Sequence, residues 1–390
     1  MRANPGGQLE SSEVIGRERL IERLWRTLEK QSVVLTAERR IGKTSIMLKM
    51  QAEVVQGAVK IFFSDLEGIY TPLELVETVL RDVEEHLSVK QKTANKFHAL
   101  FKHLGGTEIA GVAKLPAAVS PHWKDLFIRV IEDLMEQEET AVYFFWDEVP
   151  LMLYNIKNRV GEEVAMEVLD VFRALRQSHR NLRMVFTGSI GLHNVLTKLR
   201  RAGYANDPTN DMNTIEVPPL DEDSATRLAE LLLTGEHLAV IEPAEIPRII
   251  AREVNGFPFF IHHIVDEMTQ RGGELNADLV RGIVTEALTD AQDRWHLRWY
   301  YERIENYYVE EEREIALVLL DALASAEGEM TLTFEELFNL VNHKIQIDDR
   351  EIVREILNRL GKDHYTVQAE AGGFAFRFPL IKRYWRLHRG

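Results

Sequence analysis

Cysteine is absent from the 390 residues, which removes disulfides and thiolate metal sites from consideration. Long apolar runs are missing as well, none approaching the roughly 20 residues that span a bilayer. The opening Met1-Arg2-Ala3-Asn4-Pro5-Gly6-Gly7 lacks the apolar core of a secretory signal, so a cytoplasmic location and no membrane partner are expected. Positive charge is outweighed: 47 Lys and Arg face 62 Asp and Glu, a formal charge of −15. That balance argues against a general nucleic-acid coat protein and leaves room for a locally basic module. Internal repeats and low-complexity tracts are also missing. What is present is ordinary for a globular chain, with 45% hydrophobic and 28% charged residues, long enough for two or three domains.

The stretch that organises the chain is Ser32-Val33-Val34-Leu35-Thr36-Ala37-Glu38-Arg39-Arg40-Ile41-Gly42-Lys43-Thr44-Ser45. It reads as a short buried strand, a tight loop, and Gly-Lys-Thr opening a helix. That order is a P-loop, in which loop and helix N–H groups wrap a phosphate and the helix dipole favours its charge. Lys43 is then expected to reach the β- and γ-phosphates and Thr44 to ligate Mg²⁺. One position departs from the pattern: the first loop glycine is Ala37, which is free of strain if its φ is negative and strained if positive.

Taken in order, apolar Leu20, Ile21, Leu24, Trp25 and Leu28 form one face of a helix before the loop. Strands are expected at 59–63, 141–146, 182–186 and 214–217, alternating with helices at 72–87, 123–135 and 164–175. Strands alternating with helices give a parallel sheet covered on both faces, with its ligand at the carboxyl ends of the strands. Between 90 and 121 the reading stays open, a helical stretch near 97–104 being followed by either a hairpin or a loop. Beyond Pro218-Pro219-Leu220 the period is helical: 221–233, 243–254, 259–271 and 276–300. The last part reads as helices at 315–324, 333–342 and 349–360, then short strands at 365–367 and 374–378 joined at Ala371-Gly372-Gly373. Three helices and a hairpin are the outline of a winged helix. The division expected is 1–220, 221–305 and 306–390.

Asp147 and Glu148 end the apolar run Ala141–Trp146, where a Walker B pair belongs. Two adjacent carboxylates there repel unless a cation or proton is present, and Mg²⁺ on Asp147 would resolve this while Glu148 deprotonates a water. The plainer reading makes Asp147 a helix cap. Thr187-Gly188-Ser189 ends the strand expected between the P-loop and Walker B strands, where Thr187 or Ser189 would touch the γ-phosphate or the water; a plain turn is the alternative. Arg39 and Arg40 have three open readings: phosphate contact, pairing with acids such as Asp65, or a surface toward a second protein. Asn255-Gly256-Phe257-Pro258 reads as a helix stop and restart. His262 and His263 lack carboxylates at metal-ligand spacing and read as core or surface histidines. Trp295, Trp299, Tyr300, Tyr301, Tyr307 and Tyr308 read as an interdomain packing seam in preference to a stacking platform. The basic tail Arg377, Lys382, Arg383, Arg386 and Arg389 could meet nucleic-acid phosphates or pair within the chain. The second is favoured, because helix 349–360 carries Asp349, Glu351 and Glu355.

Val14-Ile15-Gly16-Arg17-Glu18, Arg39-Arg40-Ile41-Gly42-Lys43-Thr44-Ser45, Phe145-Trp146-Asp147-Glu148, Thr187-Gly188-Ser189 and Gly256-Phe257-Pro258 together resemble the STAND-type ATPases of the AAA+ group. The resemblance is to the archaeal-type ATPases in particular and follows nearly the whole chain. It implies an α/β P-loop NTPase parallel sheet of AAA+/ASCE type, then a helical lid and a winged-helix domain. The implied activity is slow or partner-stimulated hydrolysis of ATP with Mg²⁺, nucleotide state switching the lid, the winged helix and the assembly with a protein partner or with further copies. An ATP-regulated DNA-binding protein is the alternative. By resemblance Gly16-Arg17 would lie near adenine and Pro258 would pack on the base. Lys43, Thr44 and their neighbours Arg39, Arg40, Ile41, Gly42 and Ser45 would hold phosphate. Asp147 would join the Mg²⁺ shell, Glu148 would hold the water, and Ser189 or Thr187 would be the sensor. The stretch 203–212 lacks the Gly-Arg pair that relatives often carry there, so no γ-phosphate-sensing arginine is assigned.

Overall fold

Strand-forming residues build the first layer. In the computed structural model, which describes residues 1–54, 57–84, 122–188, 191–201, 207–272, 274–328, 330–370 and 372–390, five strands form one parallel sheet. They are β1 (Val33–Thr36), β2 (Val59–Asp65), β3 (Ala141–Asp147), β4 (Leu182–Phe186) and β5 (Asn213–Glu216), in the spatial order β2-β3-β4-β1-β5. The strand ending at Thr187 therefore lies between the P-loop strand and the Asp147 strand, as the sequence pattern requires. The expected hairpin or loop between 90 and 121 falls outside the described residues.

The sheet belongs to a compact unit made of Glu18–Ala37 and Lys43–Val217. Its helices are α1 (Glu18–Leu28), α2 (Lys43–Glu53), α3 (Pro72–Val83), α4 (Trp123–Gln137), α5 (Val149–Arg159), α6 (Glu162–Ser178) and α7 (Leu192–Arg201). Nearly every side chain of β3 is buried, which fits a strand covered on both faces. Trp146 sits at the centre, its ring 4.8 Å from Phe172, 5.0 Å from Phe144 and 6.1 Å from Phe186. Burying one such ring removes roughly 200 Å² from water, at most about 5 kcal/mol. That packing fixes the strand whose next residue is Asp147. α5 is a helix that the apolar pattern does not announce: it opens directly on Val149-Pro150, and Pro in the first turn is compatible with a helix start. Arg176 on α6 holds the described part of the unusual stretch before β5, donating to both Asp211 oxygens (2.9 and 2.8 Å) and to the Pro208 carbonyl (2.7 Å). Burial alone would raise the Asp211 carboxyl, but those bonds and the arginine charge hold it below its usual range.

A second compact unit comprises Met1–Arg17, Glu38–Gly42 and Pro218–Gly390. Its helices are α8 (Glu222–Gly235), α9 (Ile246–Glu253), α10 (Pro258–Arg271), α11 (Ala277–Thr289), α12 (Trp299–Tyr307), α13 (Glu310–Ser325), α14 (Phe334–Ile345), α15 (Arg350–Lys362) and α16 (Pro379–Arg389). An antiparallel pair, β6 (Thr366–Gln368) and β7 (Phe374–Phe376), follows α15, and Leu332 pairs with Phe374 beside it. Helices α13 to α15 and this hairpin form the winged helix. The single helix expected over 276–300 is a correction: the chain leaves α11 at Thr289 and re-enters a helix only at Trp299. The Asp290 carboxylate accepts from the Gln292 and Arg294 N–H groups, and Asp293 accepts from Leu297 and Arg298, turning the backbone out of the helix. Trp295 and Leu297 kept the apolar pattern going because both are buried inside the turn. Two rings of the aromatic run pack inside this unit. Trp295 stacks on Phe260 at 4.8 Å, and Tyr300 meets Tyr365 edge-on at 6.1 Å.

His262 lies in the core of this unit, where its Nδ1 accepts the Asn4 N–H at 3.0 Å. Burial pushes its pKa down from 6.5 to about 4, so the fold favours the neutral ring. Stability from this group is fully present above pH 6.5 and is lost as pH falls toward 4, by about 3 kcal/mol at most. Thermal melting between pH 7 and 4 should therefore show an acid-side loss that is reduced in His262→Gln. An equal loss in both proteins would contradict this. Among the described residues no helix is long and apolar enough to cross a membrane.

Candidate nucleotide site

The sheet unit brings together Lys43, Thr44, Asp147, Glu148 and Thr187. Lys43 and Thr44 open α2, directly after the loop that follows β1. The buried Lys43 ammonium donates to the Ala37 carbonyl at 3.1 Å, spanning the loop. Ala37 is not among the residues with left-handed φ, so the missing glycine brings no strain of that kind. The positive angles fall instead on Arg40 (69°) and Gly42 (96°). Gly42 adopts its angle freely, and Ser45 follows on α2, partly buried.

Asp147 ends β3, and the Thr44 hydroxyl donates to its Oδ2. The Glu148 N–H donates to its Oδ1 at 3.0 Å. Burial pushes the Asp147 carboxyl above its usual range, the Thr44 and Glu148 bonds and the Lys43 charge oppose the rise, and nearby Asp65 adds to it. A buried carboxylate beside a hydroxyl is a hard oxygen pair of the kind Mg²⁺ takes. Glu148 is left-handed, φ 57° and ψ 29°, unusual for a side chain of its size. Glu148, not Asp147, therefore occupies the capping position of α5, and its side chain makes no capping bond there. Its Oε2 lies 3.3 Å from where a Cβ on Gly188 would stand, which places the carboxylate at the end of β4. The Thr187 hydroxyl at that strand end is buried and, among the described residues, has no hydrogen-bond partner. Ser189 lies outside the described residues.

The other unit gathers Gly16, Arg17, the loop centre and Pro258. Gly16 has φ 69°, and a Cβ on it would stand 2.5 Å from Ser224 Cβ and 3.1 Å from Leu220 Cδ2. A Cβ on Gly256 would strike the Leu220 carbonyl oxygen at 2.2 Å. Two glycines distant in sequence thus close on Leu220, bringing Gly16-Arg17 and the Gly256-Phe257-Pro258 turn together. Gly16→Ala should lower stability by about 1–3 kcal/mol through a left-handed side chain and the Ser224 overlap, read as a drop in urea midpoint. A variant as stable as the native chain would contradict the crowding. Pro258 sits in the first turn of α10. Arg17 is buried and donates to the carbonyls of Pro218 (2.7 Å) and Ile41 (3.0 Å), so its guanidinium fastens the loop to the chain leaving β5. Ile41 itself is buried.

No family model and no curated protein matches the sequence. Solved structures do match. The Walker-type ATPase paby2304 of Pyrococcus abyssi is similar at TM-score 0.67 and 17% identity over 99% of this chain and 100% of its own. The Aeropyrum pernix ORC2 protein, in its ADPNP-ADP complexes, is similar at TM-score 0.51 and 13% identity over 95% of this chain and 94% of its own. The chain has an AAA+ P-loop fold. At these identities the likeness concerns the fold, and the site rests on the geometry above.

Within this AAA+ fold the loop arginines have partners that the sequence did not suggest. The Arg39 guanidinium carbon lies 5.3 Å from the Trp299 ring centre, and that of Arg40 lies 4.4 Å from Phe259. Burial, then the Arg39 charge, lowers the Arg40 pKa, and among the described residues its buried Nε has no partner. Glu38 carries no mark of its role in the sequence. Its buried carboxylate faces the Arg303 guanidinium, at 3.3 Å for Nη1–Oε1 and 3.4 Å for Nη2–Oε2. A glutamate between Ala37 and two arginines gave no signal of burial, and its partner is 265 residues away.

The basic tail pairs largely within the chain. Arg383 binds Glu253 at 2.8 Å, Arg389 binds Asp321 at 2.9 Å, and Lys382 donates to the Gly328 carbonyl at 2.8 Å. On the winged helix, Arg350 pairs with Glu335 and Arg354 with Glu351. Both pairs are exposed, and each sets a carboxylate, from α14 or α15, beside an arginine of α15.

Proposed function

We propose that the chain binds ATP with Mg²⁺ and hydrolyses it slowly, as a cytoplasmic molecular switch. The observation that carries this reading is the Thr44 hydroxyl on the buried Asp147 carboxylate, with Lys43 one residue before it at the helix start. Three residues that a P-loop site needs thus converge from two strand ends. Lys43 supplies a positive charge to the β- and γ-phosphates, and the loop and α2 N–H groups supply neutral donors. Thr44 and Asp147 would hold the Mg²⁺, which when bound neutralises charge on the phosphate oxygens. Glu148, set at the end of β3 in a left-handed turn, takes a proton from the water that attacks the γ-phosphorus. The buried Thr187 hydroxyl, unpartnered among the described residues, serves as the sensor, with Ser189 close to it in sequence. Gly16, Arg17 and Pro258 form the base-binding side, Arg17 acting through the loop carbonyl it holds.

The switch reading divides the chain into an ATPase core (1–220), a lid (221–305) and a winged helix (306–390). Nucleotide state would shift the lid and winged helix by differential contacts, and with them the binding of a protein partner or of further copies. The carboxylates beside the winged-helix arginines favour a protein partner over DNA. Thermal melting of the native chain in rising ATP with magnesium tests the binding. A melting temperature that climbs with ATP, about 2.7 kcal/mol of stabilisation at a hundredfold excess over Kd, supports it. A temperature unmoved at millimolar ATP overturns it. Mass measurement with and without ATP separates a switch that assembles from a monomer.

A further inference from the structure

Arg303 sits at a buried node of charged and aromatic side chains. It is almost fully buried, as is Glu38. Beyond the two contacts with Glu38, its Nε donates to the Tyr365 hydroxyl at 2.9 Å and its Nη2 to the Asp363 carbonyl at 2.5 Å. The Tyr365 hydroxyl passes its own hydrogen to the Tyr300 carbonyl at 2.5 Å. Tyr308 donates to the Asp363 carboxylate at 2.6 Å. The guanidinium also lies over aromatic rings, 4.2 Å from the centre of Tyr365 and 4.5 Å from that of Trp299.

The other end of this node is the phosphate loop. The Glu38 Oε1 that faces Arg303 also accepts the Arg39 N–H at 2.9 Å. Arg39 stacks on the same Trp299 ring as Arg303 does. The loop backbone is therefore held through a carboxylate whose position is set by α12 and by the turn between α15 and β6. An anion that takes the Arg39 N–H must compete for it with that carboxylate. Two charges buried together have no solvent to absorb a displacement, so moving Glu38 must move Arg303 or leave one of them unpaired.

We propose that Arg303 is a positioning residue that sets the phosphate loop through Glu38 and transmits nucleotide occupancy to the Asp363–Tyr365 turn of the winged helix. The proposal rests on the ATP-binding reading and names the connection by which that site would be regulated. It requires a coupling between loop and turn, not a stability contribution alone.

Hydrogen exchange of the 363–368 amides, measured on the full chain without nucleotide and with ATP plus magnesium, tests it alongside ATP affinity. The Tyr365 amide is a suitable reporter, since it donates to the Leu360 carbonyl at 2.9 Å. In the native chain ATP should change exchange in this segment by about tenfold, a common size for coupling between sites. Arg303→Met alone should weaken ATP binding by about tenfold. The Glu38→Gln/Arg303→Met pair, which removes both charges, should recover most of that affinity while the exchange response stays lost. Tyr365→Phe keeps both charges and should blunt the response, so the test survives if the double variant folds poorly. A native chain that binds ATP with no change at 363–368, or a double variant that responds as the native chain does, overturns the proposal. A native chain that binds no ATP overturns the functional reading, and this proposal falls with it.

Discussion

Lys43→Ala is expected to weaken ATP binding by about two to three powers of ten, whereas Glu148→Gln is expected to bind ATP as the native chain does and to lose turnover. The two effects differ because the two groups act at different stages. The Lys43 ammonium is buried at the start of α2, and a buried cation meeting phosphate is worth several kcal/mol. Alanine removes that charge from ground state and transition state alike. Glu148 is placed to take a proton, and removing a general base lowers rate by about 10²–10⁴ while binding is unchanged. Asp147 separates the roles further, because the Thr44 hydroxyl and the Glu148 N–H orient its carboxylate. Equilibrium binding of a fluorescent ATP analogue and phosphate release on the same preparations measure both effects. Equal turnover in all three proteins would remove the enzymatic reading. Loss of binding in the Glu148 variant would show that its charge belongs to the metal or phosphate shell and not to the water.

The second large effect concerns stability. Arg303→Met takes the guanidinium away from the buried Glu38 carboxylate, and with it the donor that Arg303 gives to the Tyr365 hydroxyl and to the Asp363 carbonyl. Breaking a buried ion pair from one side costs about 3–5 kcal/mol. Burial alone would lower the Arg303 pKa, but the Glu38 charge, aided by Tyr365 and Asp363, holds it above its ordinary value. That direction means the charged form is the one the fold selects. Burial likewise raises the Tyr365 hydroxyl above its usual range, keeping it a neutral donor and acceptor. The Glu38→Gln/Arg303→Met pair should be less destabilised than Arg303→Met alone, because no charge is stranded. Urea unfolding of the singles and the double gives the coupling directly. Strictly additive losses would mean that the two groups do not act as a pair.

The sheet was legible because its strands are short apolar runs ending in polar residues. Ala141–Trp146 reads as buried on both faces, and Trp146 proves to be the centre of the packed aromatic cluster. The order β3-β4-β1 also followed from where Asp147, Thr187 and the P-loop had to meet. Apolar periodicity misled at 276–300, where Trp295 and Leu297 continue the helical pattern inside a turn set by Asp290 and Asp293. Short-range hydrogen bonds won there over the apolar period. Lys43, Thr44 and Asp147 were legible since their spacing is local or strand-terminal. Glu38 and Arg303 were not, because a buried ion pair leaves no mark on either local pattern. Arg39 and Arg40 drew attention for their charge, yet their stacking on Trp299 and Phe259 depends on rings supplied by distant helices. The glycines Gly16 and Gly256 were visible as motif members, while their shared contact at Leu220 emerged only in three dimensions.

A single-turnover experiment tests the central claim most directly. Native chain in excess over radiolabelled ATP is incubated with magnesium, and with EDTA in its place, and bound ATP and released phosphate are followed together. The account predicts that ATP is retained on the protein and converted slowly to ADP and phosphate with magnesium, and that no phosphate appears with EDTA. Failure to retain ATP at protein concentrations up to the millimolar range, or phosphate release that is indifferent to EDTA, would contradict it.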